Sequence, residues 1–318
     1  MLSDTAKELV HCGIRPNTRN VYDSAQQQYI HFCNKYGLQT VPASENTILL
    51  YIAHMYIKTL KASTMKVYLA SIRMMHIESS YCYDFDSSSR IQLALCAVQM
   101  DQAPPKRKLP ITLAILCQIY YTVESRLSDY NVLLIWSAMC MAHFGCMRSG
   151  EFTISESFNP KTHLTRSDLI FVSSSLQNMY VKVHLKSSKT DIYNDGVDII
   201  IGCTGRNVCG YCSLRRYCDI RDKIASDDSA LFIYQNGQML SRELLIRHTR
   251  TYLAGIGVNP DQFSGHSYRI GSATTAAISG FQDWEIKKLG RWKSNVYTRY
   301  IRPSNVDCSK FAGRMQTM

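Results

Sequence analysis

His266 and Arg269 stand three residues apart in His266-Ser267-Tyr268-Arg269, a spacing that makes two side chains neighbours on one helix face. An imidazole and a guanidinium held together near a helix start can grip a phosphate and move a proton. Ser264-Gly265 supplies the start, and Ile270, Ala273 and Ala277 an apolar face. Taken alone, the pair also fits a surface patch or a hydrogen-bonded structural histidine. Arg148 follows the most apolar stretch of the chain, Val132 to Met147. A guanidinium there costs several kcal/mol unless it is paired, and Glu151 is the natural partner. A plain helix-terminal ion pair explains the same residues. Lys186-Ser187-Ser188-Lys189-Thr190-Asp191 lies between two strand patterns. A lysine on a hairpin tip can swing into a neighbouring site and donate a proton, although exposed hairpin lysines are common. The run from Leu289 to Pro303 interleaves cations with aromatics, as nucleic-acid surfaces do.

These groups need elements to hold them. The first hundred residues predict four helices. One opens at Pro16-Asn17-Thr18 and closes at Gly37, one follows Ser44, one follows Ser63-Thr64, and one spans about Ser89 to Met100. Short polar joints between them predict a bundle. Ala103 to Pro110 carries three prolines around Lys106-Arg107-Lys108, which stop a helix and leave an extended linker. Its basic core suits a strap against phosphates or an import signal, and equally a solvated hinge. Beyond it, helices are expected over Ile111–Arg126 and Tyr130–Met147. Strands follow at Asp168–Val172, Tyr180–Leu185 and Val197–Ile201, the last reached through Asn194-Asp195-Gly196. Helical patterns resume at Tyr211 and continue through Arg242–Leu253, Ser267–Ile278 and Trp284–Leu289. The expected fold is mainly α with a small antiparallel β-sheet. Its domains are a helical one over 1–103, a linker over 104–110 and an α+β one over 111–318.

Composition narrows the partners. The chain has 318 residues with 36 Lys+Arg against 25 Asp+Glu, a net charge of +11. Hydrophobic residues at 46% exclude an intrinsically disordered chain. Both halves are basic, which fits a polyanion held between two domains. Val132 to Met147 is too short to span a bilayer. The start of the chain lacks a signal-peptide pattern, so the 12 cysteines are expected as reduced thiols in an intracellular protein.

The order of the motifs is more specific than any one of them. An Arg-x-x-Glu, a hairpin Lys, a His-x-x-Arg, a Gly-Arg-Trp and a Tyr, in that order, resemble the tyrosine recombinase/integrase family. His266 to Thr274, followed by Gly290-Arg291-Trp292-Lys293-Ser294, is most similar to the recombinases of DIRS-type retrotransposons and Cryptons. Thr18 to Tyr22 and Ser63 to Leu69 resemble the family's helical, SAM-like core-binding domain, so the resemblance covers nearly the whole chain.

The resemblance implies roles. Arg148 and Arg269 match the arginines that hold the scissile phosphate, with Glu151 supporting the first. Lys189 matches the lysine that protonates the leaving 5′ oxygen, His266 the histidine of the pair, and Tyr300 the nucleophile. Tyr297, three residues earlier, is the competitor. At the family's His/Trp position, counting from Tyr300 selects Arg291, while residue type selects Trp292, the reading adopted. Lys106, Arg107, Lys108, Arg291, Lys293 and Arg299 are expected to contact DNA. The chemistry is self-consistent. Fixed guanidiniums meet the charge that builds on phosphate oxygens, and a phenol of pKa ~10 needs cations and a base to react. One ester replaces another, so no nucleotide or metal cofactor is called for.

The implied protein is a site-specific recombinase working through a 3′-phosphotyrosine. It would integrate or excise a mobile element, as a homo-tetramer on two duplex DNA sites, in the nucleus and away from membranes. The rival readings are a type IB topoisomerase and a catalytically silent DNA-binding descendant of a mobile element. Cys203, Cys209, Cys212 and Cys218 form a Cys-x5-Cys-x2-Cys-x5-Cys cluster with enough thiolates for zinc. The family calls for none, and Leu214 and Tyr217 read as core positions of a helix, so no metal site is assigned. Asp307 to Met318 could dock on a neighbouring subunit or fray.

Overall fold

The computed structural model describes residues 2–83, 85, 87–104, 106–173, 178–188, 191, 195–306 and 308–309. It divides into two compact units, Met1–Lys106 and Arg107–Met318.

The first unit is helical: α1 Leu2–Cys12, α2 Pro16–Tyr36, α3 Glu45–Ile57, α4 Ala62–Glu78 and α5 Ser89–Asp101. Pro16 opens α2 where its missing N–H costs nothing, and Gly37 ends it in the left-handed conformation at φ 61°. The Ser44 hydroxyl accepts from the Thr47 N–H at 3.0 Å to start α3. α2 packs on α4, and α3 on α5, around Tyr29, Phe32, Ile48, Tyr51, Ile52, Met65 and Ile72. α1 has no counterpart among the expected helices. Leu2, Leu9 and Val10 recur at helical spacing on it yet remain exposed.

The second unit is built on α7, Tyr130–Phe144, which starts at an Asp129 cap and is buried on nearly every side. A helix apolar all round belongs inside a core, and among the described residues no helix is long and apolar enough to cross a membrane. α6 Leu113–Val123, α8 Gly210–Arg221, α9 Arg242–Gly255 and α10 Ser267–Ile278 pack around it. β1 Leu169–Ser173, β2 Met179–Leu185 and β3 Val197–Gly202 form an antiparallel sheet in that order. Leu169 pairs with Val183, and Val183 with Ile199. Period-two alternation buries Val181, Val183, Leu185, Ile199 and Ile201 on one face. α11, Asp283–Gly290, completes the unit against α10. The fold class is the one read from the sequence, mainly α with one small antiparallel sheet.

The second half of the proline-rich segment is fixed to the second unit. The Leu109 and Ile111 N–H groups donate to the Gln262 and Ser267 carbonyls at 2.8 and 2.9 Å. Lys108 Nζ donates to the Asp261 carbonyl at 2.7 Å. The second unit therefore begins at Arg107 instead of Ile111.

Candidate functional site

α7 ends at Gly145, and Cys146 turns the chain at φ 46°. Arg148 then leads into a single 3-10 turn, Ser149–Glu151. The Glu151 carboxylate accepts from the Arg148 backbone N–H at 2.9 Å and from its guanidinium at 2.8 Å. The pairing expected from the sequence is present. The loop before α10 lies close over this turn, since a side chain at Gly265 would meet Ser149 Oγ at 2.5 Å.

α10 carries the second arginine. Its approach to the chain after the linker depends on Gly271, where a Cβ would lie 1.8 Å from the Ile111 carbonyl oxygen. Tyr268 points into the core and shares a 2.6 Å hydrogen bond with Thr249. Arg269 is fully buried. Its guanidinium donates to the Cys146 carbonyl at 2.6 Å and to the Gly290 carbonyl, while Nε has no hydrogen-bond partner. His266 precedes the first residue of α10 and is exposed. His266 is thus exposed ahead of the helix, while Arg269 is buried one turn on, with Ala273 and Ala276 further along α10.

The Gly290-Arg291-Trp292 segment closes the site. Gly290 has to be glycine, because a Cβ there would lie 1.8 Å from the Trp292 ring. Arg291 takes the left-handed conformation at φ 56°, which costs a non-glycine residue roughly 1–2 kcal/mol. The turn sends neighbouring side chains to different partners. Arg291 donates to Glu151 at 2.7 Å and to the Gly145 carbonyl at 3.2 Å. Trp292 lies against the Arg269 guanidinium, 4.5 Å from ring centroid to Cζ. Arg291 is therefore part of the arginine cluster. Both readings of the His/Trp position describe residues at the site: the cation faces Glu151 and the indole supports Arg269.

A short 3-10 helix, Asn295–Arg299, presents the two candidate tyrosines. Tyr300 follows it, half-buried, with its ring 5.1 Å from the Trp292 ring and 5.9 Å from Arg269 Cζ. Its backbone carbonyl accepts from the Thr274 hydroxyl at 3.1 Å. Tyr297 is buried, and a hydrogen bond to Asp283 raises its phenol pKa.

Arg148 and Arg291 share one carboxylate, Glu151, and Arg269 lies near enough to feel all three charges, so the group of three arginines and one acid keeps two positive charges uncompensated. Burial lowers the Arg269 pKa, and Arg148 and Arg291 push in the same direction. Such a cluster is organised for an anion with several acceptor oxygens. Lys189 lies outside the described residues. Lys186, at the start of the same connection, is committed elsewhere: its ammonium pairs with Asp168 at 2.7 Å and donates to the Pro160 carbonyl at 2.8 Å. Of the other expected DNA contacts, Lys106, Arg107, Lys293 and Arg299 are exposed, and Lys108 is held by Asp261. The sequence reading missed the Cys146 and Gly290 carbonyls that fix Arg269. Backbone acceptors leave no signature in residue type.

The arrangement has the fold of the tyrosine recombinases, of the lambda-integrase type. A lambda integrase fragment in a dimer on a COC′ core site superposes with a TM-score of 0.58 at 17% identity, covering 95% of this chain and 94% of that one. The Tn1549 transposon integrase in complex with circular intermediate DNA gives 0.56 at 14% identity, with 96% of both chains covered. In sequence, the chain is 24% identical over 327 residues to an integrase/recombinase xerD homolog of Selenomonas ruminantium, covering 99% of this chain and 89% of that protein. No protein-family model matches the chain. The likeness to the tyrosine recombinase/integrase family thus extends along nearly the whole chain.

Proposed function

We propose that this protein is a site-specific DNA recombinase that cuts and rejoins strands through a covalent 3′-phosphotyrosine. The observation that carries the reading is the pairing of Arg148 and Arg291 with the one carboxylate of Glu151, next to a buried Arg269 that has the Tyr300 ring within 6 Å. The Tyr300 oxygen attacks the scissile phosphorus, forming the phosphotyrosyl ester and breaking the bond to the 5′ oxygen. His266 takes the phenolic proton and Lys189 supplies one to the departing 5′ oxygen. The guanidiniums meet the charge that develops on the non-bridging oxygens. The 5′-hydroxyl of a partner strand then reverses the step. Each exchange conserves one phosphodiester-type bond, so the cycle balances without an external energy source.

Related proteins support the wider reading. A lambda integrase tetramer has been solved on a Holliday junction, and the Tn1549 integrase belongs to a transposon. We accordingly assign this chain duplex DNA as partner, a tetramer on two sites as working assembly, and integration or excision of a mobile element as role. The motifs around His266 and Gly290 suit an element of the DIRS or Crypton kind, whose recombinase would work in a nucleus.

The test is a suicide DNA substrate that loses its 5′-hydroxyl fragment after cleavage. A denaturation-resistant adduct mapped by mass spectrometry to Tyr300 supports the proposal. Absence of any adduct, or linkage to another residue, overturns it. Offering two sites separates recombination from relaxation alone and from binding alone.

A further inference from the structure

The connection from β3 to α8 brings three thiols together. Cys203 follows the last residue of β3, Cys209 precedes the first residue of α8, and Cys212 lies in the helix's first turn. Cys203 Sγ is 3.6 Å from Cys212 Sγ and 3.8 Å from Cys209 Sγ, and all three sulfurs lie within 4.8 Å of one another. A tetrahedral zinc with Zn–S bonds of ~2.3 Å sets its sulfur ligands about 3.8 Å apart. The thiols are already near that spacing, and all three are free.

The surrounding backbone fixes one of the sulfurs in place. The Thr204 and Cys212 N–H groups donate to Cys209 Sγ at 3.3 and 3.4 Å, which holds it at the start of the 12-residue helix α8 as outer hydrogen bonds hold metal ligands. The loop is braced independently of any ion. Thr204 Oγ1 donates to the Val208 carbonyl at 3.2 Å, and the Cys203 N–H donates to the Met179 carbonyl at 2.7 Å. Gly210, between Cys209 and Cys212, allows the close approach. A Cβ there would meet Ile201 at 2.6 Å and Phe144 at 3.1 Å, so the helix start can lie directly against β3 and α7 only with glycine. Cys218 takes no part; its side chain is buried in the core.

We propose that Cys203, Cys209 and Cys212 bind one thiophilic divalent cation, Zn2+, as thiolates. The fourth coordination position faces solvent on the side of exposed Cys212 and takes water or a small external ligand. The ion fastens the end of β3 to the start of α8. This site is independent of the strand-transfer chemistry, and its test does not use DNA.

Protein purified from zinc-supplemented medium is expected to carry one zinc per chain by inductively coupled plasma mass spectrometry. Titration with a mercurial should release it as three thiols react. Cys203→Ser, Cys209→Ser and Cys212→Ser should each weaken zinc binding roughly 10–100-fold or more, while Cys82→Ser, altering an exposed thiol of the other unit, should leave it unchanged. Should the variants not fold, Co2+ added to the unaltered protein decides. Thiolate-to-cobalt charge-transfer absorption with intense tetrahedral bands supports the site. Metal-free protein without those bands, a Cys203–Cys212 disulfide in protein purified under reducing conditions, or full zinc occupancy in Cys203→Ser overturns it.

Discussion

Arg291 reaches Glu151 at 2.7 Å although 140 residues separate them in the chain. The same carboxylate binds Arg148 at 2.8 Å. Glu151 is thus the hinge-pin of the cation cluster, and its side chain is only 5% exposed. Two guanidiniums that would otherwise repel are held side by side by one shared acid, each with donors left for an anion.

Replacing Glu151 with Gln keeps the shape and removes the charge. Breaking a buried pair on one side costs about 3–5 kcal/mol, and here two cations are left facing each other. E151Q is expected to fall near the low end of that range by chemical denaturation, because both arginines retain some access to water. Added sulfate or phosphate should restore part of the loss by occupying the cluster. An unchanged midpoint, with no anion effect, would show that Glu151 does not organise the arginines.

The two tyrosines separate by chemistry. Tyr300→Phe is expected to abolish covalent adducts on suicide DNA while leaving binding in gel-shift assays unchanged. Tyr297→Phe, which removes a hydroxyl bonded to Asp283, should retain adduct formation within roughly tenfold, equivalent to about 1.4 kcal/mol. Adducts surviving in Y300F would transfer the nucleophile's role elsewhere.

Trp292 combines packing with support for a charge. Its loss to Ala should cost about 3–5 kcal/mol of stability, including a cation–π contribution of up to about 2 kcal/mol. Trp292→Phe, which keeps a ring over Arg269, should recover more than half of that by thermal melting. Equal losses in the two variants would mean that the aromatic face over Arg269 contributes nothing.

What could be read in advance followed from side-chain periodicity and covalent order. The three strands, α10 and the buried character of α7 are legible because alternation and apolar runs report burial directly. Glu151 as partner of Arg148 was legible from spacing. The second grip on Glu151 was not, because a left-handed Arg291 is a backbone event that residue type argues against. Arg269's burial was hidden for a related reason: its partners are carbonyls, and a guanidinium next to His266 reads as exposed. α1 was legible from Leu2, Ala6, Leu9 and Val10 at helical spacing, although the expected helices begin only at Pro16. The four-cysteine pattern overcounts the thiols that meet, since a helix begun at Gly210 carries Cys218 two turns away into the core.

A buried histidine predicts a pH dependence separate from the chemistry. His143, on α7, shares a 3.1 Å hydrogen bond with the Ile111 carbonyl, and burial lowers its pKa to about 4. The unfolded chain, with a histidine near 6.5, binds this proton more readily than the folded one does. Its neutral form therefore contributes full stability above pH 6.5, and that contribution drains away as pH falls towards 4. The difference corresponds to roughly 3 kcal/mol. Denaturant midpoints should fall over that window, and His143→Gln should flatten the fall. A slope unchanged in H143Q would assign the acid sensitivity to other groups.

The division of the second unit's interior has a kinetic meaning. Arg148 leaves directly from α7, within the large cluster that contains Leu133, Trp136 and Met139. Tyr300 instead packs against a satellite of six buried residues, including Ala273, Ile286, Trp292 and Tyr297. Local opening free energy scales with such burial. The core of α7 that precedes Arg148 should therefore exchange its amide hydrogens only with global unfolding, whereas the segment bearing Tyr300 belongs to a smaller cooperative unit that opens more often. The segment that carries Tyr300 can open and close many times while the α7 core beside it stays shut.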